Sequence, residues 1–260
     1  MSTATTDATR PATTGWYVYG IVPSGTRVPD GLCGVGPDTP PPTTIRDGDL
    51  AAVVSPVARD HALGSRRDLL HHARILDGLA AAVPVLPVRF GVVLDDPATV
   101  VTRLLAPRRV PLTAALGRLA GTAQFLVSVC HVEDAVLGEV LAAAPDIARW
   151  RDLVRAGAGG AGARVRLGER VAAALAATRV HDRQHVRDVL APYRVGAVNR
   201  PSGARDEAAC VAFLVEHEVR PRFEDAVERL AAEWAGRARV RLLGPLAPYD
   251  FADALVHEEG

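Results

Sequence analysis

Lysine is absent from this chain of 260 residues: all 30 basic side chains are arginine. Without a lysine amine the chain cannot form a Schiff base with pyridoxal phosphate or a carbonyl substrate, and it has no P-loop lysine. Cysteine is nearly as scarce. Cys33, Cys130 and Cys210 stand apart with no C-x-x-C spacing, which fits neither a disulfide framework nor a cysteine-ligated zinc site, so buried structural thiols are expected. Serine is infrequent and never sits in G-x-S-x-G, and no paired-carboxylate or triad pattern stands out. No apolar run approaches the ~20 residues of a membrane span. The Ser/Thr/Ala-rich residues 1–14 lack the apolar segment of a signal peptide and are expected to be a disordered tail. A cytoplasmic protein is the resulting expectation. Charge is balanced, with 30 acidic residues against the 30 arginines, so no overall field recruits nucleic acid or an anionic membrane.

Hydrophobic residues make up 48% of the chain, enough for one large or two modest cores. Trp16 to Val22 reads as a strand closed by Pro23-Ser24-Gly25, with a Gly/Pro-dense loop after it to Pro42. Asp47-Gly48-Asp49 between apolar runs predicts a hairpin. Ser65 and Asp68 resemble a capping box, opening a helix whose apolar face is predicted to be Leu69, Ala73, Leu76, Ala80 and Val83. Val85 to Phe90 is predicted as a strand that Pro84 and Pro87 confine to an edge or bulge. Asp96-Pro97 begins a further helix, and Gln124 to Cys130 reads as the last strand of the first half. Helices follow over Glu133 to Ala144, Asp146 to Arg155 and Val165 to Leu190, then paired strands over Arg194 to Asn199 and Ala209 to Val215. The fold class is α+β, with an N-terminal domain over residues 15–132 and a C-terminal domain over 133–260.

Several patterns invite a chemical reading that their context does not support. His181 and His185 have the i, i+4 spacing of a helical metal pair, but Asp182 stands where a zincin has glutamate and no third ligand is indicated. His71 and His72 diverge by about 100° on a helix, so His72 is expected to pack or hydrogen-bond locally. Gly157 to Gly162 lacks the preceding strand and the spacing of a phosphate loop, and reads as a connector. No catalytic, cofactor or metal residue is assigned, and the chain is expected not to be an enzyme. One surface feature remains. In Arg237-Ala238-Arg239-Val240-Arg241-Leu242 the strict alternation places Arg237, Arg239 and Arg241 on one strand face, a candidate docking face for an acidic partner. The competing interpretation is a wet sheet face or an edge guarded by charge.

The end of the chain is the richest segment. Cys210 to Val215 is a strand-length apolar run, Pro221 suits a first helical turn, and Phe223, Val227, Leu230 and Trp234 make one stripe on the helix that follows. After the arginine strand, Leu246, Tyr249, Phe251 and Leu255 are too apolar for a free tail and are expected to clasp the second domain. Together with Trp16 to Val22 and Val83 to Leu94, this segment resembles the gas vesicle GvpF/GvpL family. The resemblance rests on a YVYGIV strand, His72-Ala73-Arg74-Ile75-Leu76 in an H-A-R-x-L helix, a PVLPVRFG strand, and Gly244-Pro245-Leu246-Ala247-Pro248-Tyr249-Asp250-Phe251 as the closing GP-x-x-PY-x-F. It runs from about Gly15 to Leu255 and departs at Leu246-Ala247, where a bulkier pair is usual.

The resemblance implies ferredoxin-like or modified ferredoxin-like sheets in both domains, an arrangement that also fits the order of elements. It further implies a non-enzymatic accessory protein of gas vesicle formation, located at the gas vesicle or in the cytoplasm. Such a protein would bind the hydrophobic shell subunit and other accessory proteins. A ferredoxin-like module that binds a small regulatory ligand is the alternative.

Overall fold

A computed structural model describes residues 14–37, 39–157, 160–201, 203 and 206–257. The predicted tail over residues 1–14 lies outside them except for Thr14. Two compact units divide the chain. The first runs to Gly121 and takes in the residues from Pro245 onward, and the second is Thr122–Gly244.

In the first unit β1 (Thr14–Pro23) is followed by a hairpin of β2 (Thr43–Asp47) and β3 (Leu50–Ala58), then by helix α1 (Arg66–Ala80) and the short strands β4 (Leu86–Pro87) and β5 (Val93–Leu94). The sheet order is β2-β3-β1-β4, with β5 also on β1, and all pairings are antiparallel. β1 is the central strand and is buried along nearly its whole length. As expected, the hairpin turns at Gly48-Asp49, where Gly48 has a φ of 63°. A Cβ there would strike the guanidinium of Arg109, which pairs with Asp47 and Asp49. Pro87 limits the edge strand as its missing N–H requires, so pairing breaks into two fragments. A short helix α2 (Pro97–Thr99), capped by Asp96, leads through a π-helical stretch and a 3-10 turn into α3 (Arg109–Leu119).

α1 begins as predicted, with Ser65 accepting from the Asp68 amide and Asp68 accepting from the Ser65 amide. Its buried face keeps Leu76 and Ala80 of the predicted one but is turned toward Asp68, His72, Ile75 and Leu79, and Leu69 is 48% exposed. The Gly/Pro loop before β2 explains the polar members of that face. Val35 is fully buried, its N–H donates to the Tyr19 hydroxyl, and the Gly36 N–H donates to Asp68. A buried loop has backbone groups that no ladder satisfies, and side chains from β1 and α1 supply the partners.

The second unit opens with β6 (Thr122–His131). Helices α4 (Glu133–Ala143), α5 (Pro145–Arg155) and α6 (Gly160–Val189) lead to β7 (Gly196–Asn199), β8 (Glu207–Glu216), α7 (Arg220–Glu233) and β9 (Ala238–Leu246). Its sheet order is β7-β8-β6-β9. With elements running βαββαβ and the first helix expanded to three, this is a ferredoxin-like sheet. Phe125, Phe213, Phe223 and Trp234 centre its core, and the predicted α7 stripe of Phe223, Val227, Leu230 and Trp234 is buried throughout. Gly244, with a φ of 151°, lies against β6: a Cβ would sit 2.9 Å from the Gln124 carbonyl and 2.6 Å from the Phe125 ring.

Two boundaries differ from those expected. The strand over Gln124 to Cys130 opens the second sheet instead of closing the first, because β8 is its partner along its full length. The closing segment clasps the first unit. Ala247 is fully buried in that core, its N–H donates to Asp77, and α8 (Tyr249–His257) packs on α3 and β4. Tyr249 of this segment lies against His72 of α1 within the same unit. The expectation of buried thiols also fails at Cys33, which is exposed.

Candidate functional site

The alternation in Arg237 to Leu242 does form an edge strand, but the three arginines have different environments. Arg237 precedes β9 and turns inward, its side chain only 21% exposed. It donates to Glu139 on α4 at 2.8 Å and to both oxygens of Asp182 on α6 at 2.9 and 3.0 Å, and lies 5.3 Å from the Trp234 ring centroid. Asp182 also accepts from His131 at the end of β6, at 2.6 Å. Burial alone would raise the Asp182 carboxyl, but hydrogen bonds from His131 and Arg237 outweigh it and hold the group below the usual carboxylate range. Arg237 therefore joins strand to helices and is unavailable to a partner. Arg239 and Arg241 remain exposed on the strand, and among the described residues Arg239 makes only a 3.6 Å pair with exposed Asp206.

Beside β9 runs a groove of about 250 Å³, lined by Glu224, Val227, Glu228 and Ala231 of α7 and by Val240 and Leu242. Leu242 is 36% exposed and Leu243 57%. A second cavity, of about 440 Å³, lies where His131, Glu133, Arg179 and Asp206 meet Val136, Ala172 and Leu175. His131 was not marked by any sequence motif. Asp182 is the working member of HDRQH, while His181 is exposed and His185 stacks on Trp234 at 5.5 Å. The only signal for this network in the sequence is a carboxylate in the helical register of a buried face. Among the described residues no group of three or more His, Cys, Asp or Glu is placed to hold a metal, and no helix is long and apolar enough to cross a membrane.

The first unit holds a different polar cluster. The Tyr17 hydroxyl accepts from the Gly91 N–H at 3.1 Å and lies 2.9 Å from His72 Nδ1, to which it donates. Tyr19 bonds Ser55 at 2.7 Å. Burial drives the His72 imidazole from 6.5 down to about 4, against the Val88 backbone, which favours the charged form. The ring is therefore neutral near pH 7. Its partner is 55 residues away, so the expected local bonding of His72 is replaced by a long-range contact.

A family model described as "Gas vesicle synthesis protein GvpL/GvpF" matches residues 15–253. The chain belongs to this family. Gas vesicle protein F of Streptomyces sp. (strain CB03234) is 33% identical over 242 residues, covering 91% of this chain and 99% of that protein. The crystal structure of GvpF from Anabaena sp. PCC7120 superimposes with a TM-score of 0.79 at 26% identity, covering 92% and 98% of the two chains. That of GvpF from Microcystis aeruginosa gives 0.74 at 25%, with the same coverage. Membership in the GvpL/GvpF family makes this a gas vesicle accessory protein with an α+β fold.

The four GvpL/GvpF segments recognised in the sequence meet at one place. Tyr17 and Tyr19 come from the first, His72 from the second, Phe90 from the third and Tyr249 from the fourth, with ring centroids 4.9 to 6.3 Å apart. In this GvpL/GvpF chain the motifs are thus the parts of a single packed cluster inside the first unit. They account for how the first unit closes.

Proposed function

We propose that this chain acts in gas vesicle assembly by binding the hydrophobic shell subunit and other accessory proteins, in the cytoplasm and at the growing vesicle. An apolar subunit waiting to join a shell aggregates unless a partner covers its apolar face or pairs its strand edges. The observation that carries this reading is the open edge of the second sheet, a nine-residue strand with Leu242 and Leu243 exposed beside a groove floored by Val227, Ala231 and Val240. Arg239 and Arg241 are the partner-facing arginines of that edge, with Arg237 acting behind them through Asp182 and Glu139. Co-purification of separately tagged proteins tests the proposal. The full chain retains the shell subunit or an accessory protein above a control protein of similar size; no retention across all of them overturns it.

The cavity beside His131 favours a second reading, a small-ligand regulatory module, because His131, Glu133, Arg179 and Asp206 converge on a volume of about 440 Å³. A polar metabolite that raises the melting temperature in proportion to log concentration supports this alternative. A flat response across amino acids, nucleotides and carboxylic acids removes it.

A further inference from the structure

We propose that β9 receives an extended segment of its partner as an added antiparallel or parallel strand, one that carries carboxylates on one face and apolar side chains on the other. This deepens the assembly reading by naming the partner's chemistry.

β9 is an edge strand of nine residues, whereas the opposite edge, β7, has four. A long edge with exposed leucines is what folded proteins usually shorten, cover or guard. Here it is guarded asymmetrically. Val240 packs on the core beneath α7, so the period of two puts Val240 and Leu242 on the α7 face and Arg239 and Arg241 on the other. Arg241 makes no ion pair among the described residues, and the Arg239–Asp206 contact is long and solvent-exposed.

The charge pattern selects among occupants. In a twofold antiparallel pairing of two β9 strands as one continuous sheet, directly opposed residues share a face. Registers centred at or between residues 239 and 241 therefore set arginine against arginine, and registers displaced along the strand avoid this only by opposing the arginines to Leu243 and Pro245. Like charges directly opposite are destabilising, so a second copy of this chain is a poor partner. An acidic strand is a good one, since Arg239 and Arg241 can each take a carboxylate with forked geometry. The opposite phase is excluded as well. Carboxylates on the α7 face would enter a groove bordered by Glu224 and Glu228 and floored by Val227, Ala231 and Val240. Apolar side chains must fill that groove, which fixes both the alternation and its phase.

The test uses the full chain and short labelled peptides that alternate glutamate with valine, alternate lysine with valine, or carry glutamate and valine in two separate blocks. Fluorescence anisotropy gives affinity, and hydrogen exchange locates the protected amides. The alternating glutamate peptide binds and protects residues 238–243. The double variant Arg239→Glu, Arg241→Glu weakens it about tenfold or more, because two favourable pairs become two repulsive ones. An Arg103→Glu, Arg108→Glu control in the first unit leaves its affinity unchanged. Equal binding of the lysine peptide, equal binding of the block peptide, or protection that avoids β9 overturns the inference. Retention of the shell subunit by the full chain and equally by the Arg239→Glu, Arg241→Glu variant also overturns it, while the assembly role stands. Peptide binding at β9 without retention of any gas vesicle protein upholds the edge and removes the assembly role.

Discussion

The two units share one sheet order, second strand, third, first, fourth, yet build it from different material. The second unit crosses from its first strand to its second through three helices; the first does so through a loop rich in glycine and proline. The helical crossover satisfies its own backbone, so the second core can be aromatic and largely apolar, with Phe125, Phe213, Phe223 and Trp234 at its centre. The loop crossover cannot. Its amides are met by Tyr19 and Asp68, and the core around them carries Ser55 and His72 as well. The same topology thus tolerates the loss of a helix where neighbouring side chains take over its hydrogen bonds.

The largest effect that separates the units is removal of the chain from Pro245 onward. Ala247, Phe251 and Ala252 are buried in the first unit, and Asp77 loses the amide of Ala247 while remaining raised by burial. Losing a buried phenylalanine alone costs ~3–5 kcal/mol. Hydrogen exchange should show protection lost in β1, β3 and α1, with β6 and β8 retained. Earlier loss in β6 and β8 would mean that the tail stabilises the second unit instead.

Next come two substitutions in the second unit. Trp234→Ala should cost ~3–5 kcal/mol, as truncation of a buried aromatic does. Arg237→Ala strands the buried carboxylate of Asp182 and should cost ~2–4 kcal/mol, whereas Arg239→Ala, an exposed and loosely paired neighbour, should cost ~0–1 kcal/mol. Chemical denaturation compares them directly. Equal losses at the two arginines would restore the uniform three-arginine ladder that strand alternation suggests.

Acid should divide the units as well. His72 is held neutral down to about 4, while in the unfolded chain it titrates near 6.5. Between those values the unfolded state binds a proton that the folded state does not, so stability of the first unit falls as pH drops from 6.5 to 4, by at most ~3 kcal/mol. Tyr17, Tyr19, Phe90 and Tyr249 surround the ring, and among the described residues no carboxylate bonds it to offset that cost. Asp182 acts in the same direction but over a lower pH range. Its folded value is depressed, so its contribution to the second unit is full above the unfolded carboxylate value and is lost only as pH falls through the lower folded one. Melting curves from pH 7 to pH 4, with His72→Gln as reference, should show the first unit softening and the variant flattening its slope. A second unit that softens first would contradict the assignment.

Much of this was legible in the sequence, and the failures share a cause. The α+β class, the hairpin at Asp47-Gly48-Asp49, the broken edge strand at Pro87 and the α7 stripe follow from local propensities and apolar spacing. What periodicity could not see was buried polarity. His131 and Asp182 come from the end of a strand and the middle of a long helix, 51 residues apart. Nothing short-range marks them as partners, and without Asp182 the inward turn of Arg237 cannot be foreseen. The clasp was placed on the wrong unit because apolar residues reveal that they are buried, not what covers them.

The smallest predicted effect tests this lesson on the two corresponding helices. α1 and α7 each follow the third strand of their unit, and apolar spacing locates the face of α7 while catching only Leu76 and Ala80 of the buried face of α1. On α7 every inward position is apolar. On α1 the inward face holds Asp68, which bonds the Gly36 amide and caps the helix, and His72, which bonds Tyr17. A pattern built from apolar residues alone discards both and turns toward Leu69. Leu69 and Leu70 are 48% and 45% exposed, so Leu69→Gln should change stability by less than ~0.5 kcal/mol. Ile75→Ala, at a fully buried position outside the predicted face, should cost ~2–5 kcal/mol. Denaturant midpoints of the two variants decide between the faces. A loss above ~1 kcal/mol at Leu69 would mean that this leucine is covered in solution, and that α1 presents its outer face to another surface.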